Sequence, residues 1–87
     1  MYYVYILQSL KDHEWYIGFT ENIEQRVMEH NSGKNVSTKN RVPFKLIYYE
    51  AYLNKLDTLG REGFLKSGSG HRFIKKQLRN FIEDRLV

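Results

Sequence analysis

Residues 2–8, YYVYILQ, and residues 14–20, EWYIGFT, decide the fold of this chain. Both are rich in aromatic and β-branched side chains, and a polar break from Ser9 to His13 separates them, so they read as a β-hairpin. Pleating sends alternate side chains to opposite faces of a sheet. Val4 and Ile6 then share a face, as do Trp15, Ile17 and Phe19, and these are the expected core positions. Tyr3, Tyr5, Tyr16 and Thr20 point the other way, with Gly18 leaving that face open beside Tyr16. A turn centred on residues 10 and 11 would set Tyr5 directly opposite Tyr16, with Cβ atoms ~5 Å apart.

Downstream of the hairpin, Asn22 and Gln25 have the spacing of a capping box. The helix they open runs through Ile23, Val27 and His30 and stops at Gly33. Residues 34–43, KNVSTKNRVP, are polar, basic and closed by the only proline, and read as a loop. Phe44 to Tyr52 is a third strand. Asn54 or Asp57 caps a second helix carrying Leu56, Leu59, Phe64 and Leu65, which Ser67-Gly68-Ser69-Gly70 breaks. A last helix shows Ile74, Leu78, Ile82 and Leu86 at steps of four, with Phe81 beside them, an apolar stripe that belongs to the core. The expected class is α+β, a single domain over residues 1–87 in the order ββα-β-αα.

Eighty-seven residues leave room for one core, and a chain of that size hides roughly 60–65% of its unfolded surface. There is no cysteine, which removes disulfides, thiolate nucleophiles and cysteine-type zinc sites. The longest apolar run, Tyr2 to Leu7, falls far short of the ~20 residues of a membrane helix. No secretory signal is evident, so the cytoplasm is the expected compartment. The net charge of +4 is unevenly spread. Residues 1–33 balance at −3, whereas residues 34–48 and 66–87 each balance at +4. Two positive zones on a small domain suit phosphate contact.

Within this frame, Tyr5 and Tyr16 lie on the face that the hairpin's aliphatic residues avoid. Arg26 and His30, four apart, share one face of the first helix. Glu62 follows Arg61 on the second helix, and a basic loop with the hydroxyls of Ser37 and Thr38 could fold over the same surface. Each has an ordinary alternative: packing for the tyrosines, an ion pair with Glu29 or Glu50 for Arg26, and a helix-dipole contact for His30. Composition and periodicity alone describe a basic α+β domain.

The arrangement as a whole is more specific. Tyr3-Val4-Tyr5, followed eleven residues after Tyr5 by Tyr16-Ile17-Gly18, resembles the paired signatures of the GIY-YIG nuclease superfamily. The resemblance continues through Arg26, ten residues past Tyr16, and through Arg26-Val27-Met28-Glu29-His30-Asn31-Ser32-Gly33, Thr38-Lys39 and Pro43-Phe44-Lys45-Leu46. It ends with Arg61-Glu62 and Leu65-Lys66-Ser67-Gly68-Ser69-Gly70, and so spans nearly the whole chain. Tyr3 stands where the first signature has its glycine. Within the superfamily the chain looks most like the small standalone bacterial branch, similar to the catalytic domain of the excision-repair nuclease subunit UvrC.

That resemblance implies a three-stranded antiparallel sheet flanked by helices and metal-dependent cleavage of phosphodiester bonds in DNA, with RNA left open. It implies Tyr5, Tyr16, Arg26 and His30 as catalytic positions and Glu62 as ligand to Mg²⁺ or Mn²⁺. Phosphate contact through the basic zones is expected at Thr38, Lys39, Arg41, Lys66, Arg72 and Lys75. A cation near Tyr5, from Arg26 or the metal, is expected to favour its phenolate. Tyr5 is then the base or its nearest relay, and Tyr16 positions water or phosphate, with the reverse assignment also open. Gly60 and Gly63 bracket Arg61-Glu62 and each weaken the helix by ~1 kcal/mol relative to alanine. So short a chain has no room for target-reading arms, so selectivity is expected from substrate shape or a protein partner. The competing readings are a nucleic-acid-binding module without catalysis, stacking bases on the tyrosine face, and a protein-interaction domain.

Overall fold

The computed structural model describes residues 1–84. The strands are β1 (Tyr2–Ser9), β2 (Trp15–Thr20) and β3 (Phe44–Tyr52). The helices are α1 (Ile23–Asn31), α2 (Lys55–Lys66), α3 (Gly68–Gln77) and α4 (Arg79–Asp84), and a 3₁₀ turn covers Lys39–Arg41. The strands form one antiparallel sheet in the order β2-β1-β3, so the most apolar strand is central. This is the expected α+β architecture.

The two faces divide as the alternation predicts. Val4, Ile6 and Ile17 pack against Leu65 of α2 and Ile74 of α3, with Trp15 half-buried at the margin. On the opposite face Tyr5, Leu7 and Phe44 pack with Tyr16, Val27 of α1, Val42 and Leu46. The sheet therefore lies between α1 on one side and α2 and α3 on the other. The β1–β3 register shifts between Ile6 and Leu7, which leaves Ile47 as an extra residue in β3 and turns both Ile47 and Tyr48 toward the first cluster.

The hairpin register differs from expectation by two residues. Tyr5 pairs with Gly18, and Tyr16 with Leu7. The cause is a longer turn: the Ser9 side chain accepts from the backbone N–H of Lys11 and Asp12, and Asp12 accepts from Glu14 N–H. His13 adopts φ 63° to close it. A shift of two keeps every side chain on its expected face, but it changes what Gly18 does. A Cβ at residue 18 would stand 2.5 Å from the Tyr5 hydroxyl oxygen and 2.7 Å from Cζ, so Gly18 is the floor on which the Tyr5 ring lies. Gly18→Ala should cost about 1–3 kcal/mol by overpacking, read as a melting temperature lower by at least ~4 °C.

Two helical expectations are corrected. In α2 only Thr58 and Leu65 are buried, while Leu56, Leu59 and Phe64 are exposed, because the helix turns a seven-residue repeat toward the sheet with Arg61 and Glu62 half-buried between. The last helix is two: α3 ends at a C-cap on Leu78 and α4 restarts at Arg79. Ile74 is buried, Leu78 and Ile82 are half-buried, and Leu86 lies outside the described residues. Ser67 ends α2 and caps α3, its Oγ accepting from Gly70 N–H. A Cβ at Gly70 would run into the Phe64 carbonyl and the Leu65 backbone, so this glycine sets how closely the two helices cross. Among the described residues no helix is long and apolar enough to cross a membrane.

Candidate functional site

The tyrosine face of the sheet and the inner face of α1 meet at His30. Asn22 starts the helix, accepting from Gln25 N–H through Oδ1, and Gly33 at φ 78° follows its end. Two turns in, this phase aims His30 at the sheet, where it is fully buried. Its Nε2 lies 3.0 Å from the Tyr5 hydroxyl and its Nδ1 lies 2.8 Å from Thr38 Oγ1. The Tyr16 ring sits 4.8 Å from the His30 ring and 6.3 Å from that of Tyr5.

Burial, with the neighbouring Tyr16, drives the Tyr5 phenol well above its ordinary range; Arg26 pulls the other way, as expected, and is outweighed. Burial, aided by the charge of Arg26, lowers the His30 imidazole. Both are therefore neutral at pH 7. A neutral imidazole has one N–H. Either Tyr5 donates to Nε2 while Nδ1–H donates to Thr38, or Thr38 donates to Nδ1 while Nε2–H donates to Tyr5. A proton can cross the chain in either direction by exchanging these patterns.

The depressed His30 pKa has a consequence for stability. In the unfolded chain the imidazole titrates near its ordinary ~6.5, so between that value and the lower folded one the unfolded state binds a proton that the native state does not. Stability is then full above about pH 6.5 and falls as the pH drops through this window. Urea midpoints at pH 7.5 and 5.5 should show the loss, and His30→Gln should flatten it.

Arg26 stands one turn before His30, half-buried. Its guanidinium makes no ion pair among the described residues. Neither partner considered from sequence takes it up: Glu50 belongs to Arg61, at 2.8 Å. Glu62, on α2, is close enough that its charge raises Tyr5. Its side chain is 19% exposed and meets Lys66 Nζ at 3.2 Å. Among the described residues no three His, Cys, Asp or Glu side chains form a metal-binding group. A lone carboxylate can serve a hard divalent ion that keeps several waters, such as Mg²⁺ or Mn²⁺, and Glu62 is a half-buried carboxylate of that kind.

The residues expected to contact nucleic acid separate. Thr38 is fully buried against His30, a correction to its expected place at the surface. Arg41 clamps the hairpin instead of standing free, bonded to Asp12 at 2.8 Å and reaching the Trp15 carbonyl. Lys39 is exposed, Lys66 lies beside Glu62, and Arg72 bonds Ser69. Lys75 lines a cavity of about 450 Å³ on the other face of the sheet, with Trp15, His71 and Arg79. The basic loop reaches His30 through Thr38 and is tied to the hairpin turn, where Ser9 Oγ donates to the Arg41 carbonyl at 2.6 Å and Lys11 Nζ to that of Asn40. Sequence reasoning missed Asn31, whose amide bonds both the N–H and the carbonyl of Phe44 and ties the end of α1 to β3. It also missed the Thr38–His30 contact, because the irregular chain between the end of α1 and Thr38 gives no periodic signal.

With this geometry in view, the comparisons with known proteins agree among themselves. Residues 1–77 match the model of the GIY-YIG catalytic domain. A UPF0213 protein of Staphylococcus haemolyticus is 38% identical over 85 residues, covering 97% of this chain and 96% of that protein. A UPF0213 protein of Clostridium perfringens is 43% identical over 67 residues, covering 76% of this chain and 71% of the relative. The solution NMR structure of a UPF0213 protein from Bacillus halodurans matches with a TM-score of 0.52 at 37% identity, over 93% of this chain and 85% of that one. The match over residues 1–77 and these relatives show that the chain belongs to the family of GIY-YIG catalytic domains.

Proposed function

We propose that this protein cleaves phosphodiester bonds in DNA with the help of one divalent metal ion. The observation that carries the reading is Arg26: a half-buried cation without an ion pair among the described residues, near enough to Tyr5 and to the neutral His30 that its charge acts on both. Such a cation is placed to take an anion, and the wall around it can move a proton.

Glu62 would hold Mg²⁺ or Mn²⁺, which when bound stabilises charge developing on the leaving oxygen. The chain's own residues supply the rest. Arg26 binds the phosphate and gives charge-assisted hydrogen bonds to the pentacovalent phosphorus. Tyr16, whose hydroxyl has no hydrogen-bond partner among the described residues, orients the attacking water. Tyr5 is too weak an acid to serve as a free phenolate. It acts as a relay, taking a proton from the nucleophile's side while passing its own to Nε2 of His30, which is neutral and able to accept it. Thr38 holds Nδ1 and so fixes the ring. Repair or recombination intermediates in the cytoplasm are the proposed substrates, with selectivity coming from DNA shape or a partner protein.

The test is a panel of single-stranded, duplex, flap and branched DNA, with RNA counterparts, incubated with Mg²⁺, Mn²⁺ or EDTA. Metal-dependent nicking supports the reading and names the substrate. Silence throughout, with binding retained, moves the assignment to a nucleic-acid-binding module.

A further inference from the structure

On the other side of the sheet from His30, Tyr48, Glu50 and Tyr52 alternate along β3 and face α2. Glu50 pairs with Val4 across the ladder and is only 15% exposed. A carboxylate so placed needs partners, and it has four hydrogen bonds. The hydroxyls of Tyr48 and Tyr52 each donate at 2.6 Å, and Arg61 donates from Nε at 2.8 Å and from a terminal nitrogen at 3.1 Å. Burial alone would raise the Glu50 pKa, but these bonds outweigh it and keep the group ionised. The Arg61 guanidinium is also held by aromatic faces, 4.9 Å from the Phe64 ring and 4.7 Å from that of Phe73. Arg61 is thus fixed by bonds to β3 and by rings from α2 and α3.

The next residue is Glu62. Successive helix residues are ~100° apart, so pinning Arg61 to the sheet fixes the direction in which Glu62 points. The turn that carries it is weak without help. Gly60 and Gly63 flank the pair and lower helix propensity relative to alanine, yet a Cβ at either would meet nothing within 4 Å. Neither glycine is there to make room. We infer that Glu50 and Arg61 form a positioning clamp, which holds a glycine-weakened turn of α2 so that Glu62 faces the metal. The inference rests on the nuclease reading for its functional half, and on packing alone for its structural half.

Glu50→Gln keeps the shape and weakens the clamp, and two readouts follow it. Amide hydrogen exchange at residues 59–63 should quicken about tenfold while β1 amides keep their protection. The calorimetric affinity for Mn²⁺ should fall about 10–100-fold, the usual effect of losing a ligand's supporting group, and cleavage at saturating metal should fall less than about threefold. Adding Gly60→Ala and Gly63→Ala to Glu50→Gln should restore both exchange and affinity by stiffening the turn directly. Unchanged exchange at 59–63, or loosening spread evenly through the domain that the alanines do not repair, overturns the clamp. Local loosening repaired by the alanines in a protein that neither binds Mn²⁺ nor cuts DNA leaves the clamp standing and sinks the nuclease reading instead.

Discussion

Glu62→Gln is expected to lower metal-dependent cleavage by about 10³-fold, the size of losing several kcal/mol of charge stabilisation, while DNA binding holds or tightens. The geometry separates the two effects. Among the described residues Glu62 makes no hydrogen bond to the core; its partner is Lys66, one turn away and 55% exposed. Such an i,i+4 pair contributes ~0.3–0.5 kcal/mol, so the melting temperature should move by only a few degrees. Replacing the carboxylate frees Lys66 and, on the nuclease reading, removes a negative charge that faces phosphate, and both changes favour DNA. Fluorescence anisotropy on a catalytically silent duplex, beside a cleavage assay with Mg²⁺, measures the split. A variant that loses binding together with cleavage would show Glu62 to be structural, and the site would have to be sought elsewhere.

What the sequence made legible was set by periodicity. The hairpin faces follow from alternation, and every one of Val4, Ile6, Ile17, Tyr5 and Tyr16 lies on its expected side. Register was not legible, because it depends on how many residues the turn consumes. That number is fixed by Ser9 Oγ accepting from two backbone N–H groups and by His13 at φ 63°. The second helix misled because three large apolar side chains suggest an inward stripe, yet Leu56, Leu59 and Phe64 face outward. Phe64 is partly spoken for by the Arg61 guanidinium and the Phe73 ring. Tyr5, Tyr16 and His30, all on regular elements, come together as their faces predict. The contacts of Thr38 and Glu50 were not legible, since the first is made from a loop and the second runs from strand to helix across eleven residues. A carboxylate between two tyrosines on an alternating strand was the available clue to the second, as it puts a charge on a face that should be apolar.

The relay assignment makes the sharpest demand on Tyr5. Tyr5→Phe should reduce cleavage by roughly 10²–10⁴-fold, the usual span for losing positioned proton transfer, and it should change how the rate depends on pH. In the native protein the relay needs a neutral His30 to accept the proton. Because burial and Arg26 hold that imidazole below its ordinary pKa of ~6.5, cleavage should persist below that pH before an acid limb appears. Without the Tyr5 hydroxyl, residual cleavage no longer passes through His30 and the limb should vanish. Stability must be measured alongside, since removing that hydroxyl would leave His30 Nε2 buried without a partner at a cost of about 1–3 kcal/mol. Tyr16→Phe is the matched control: its half-buried hydroxyl has no partner among the described residues, so stability should change by less than ~0.5 kcal/mol. Its effect on rate comes from orienting water, which leaves the acid limb in place. If Tyr5→Phe keeps the limb and Tyr16→Phe erases it, the two tyrosines exchange roles, and the proton leaves by the more exposed of the pair.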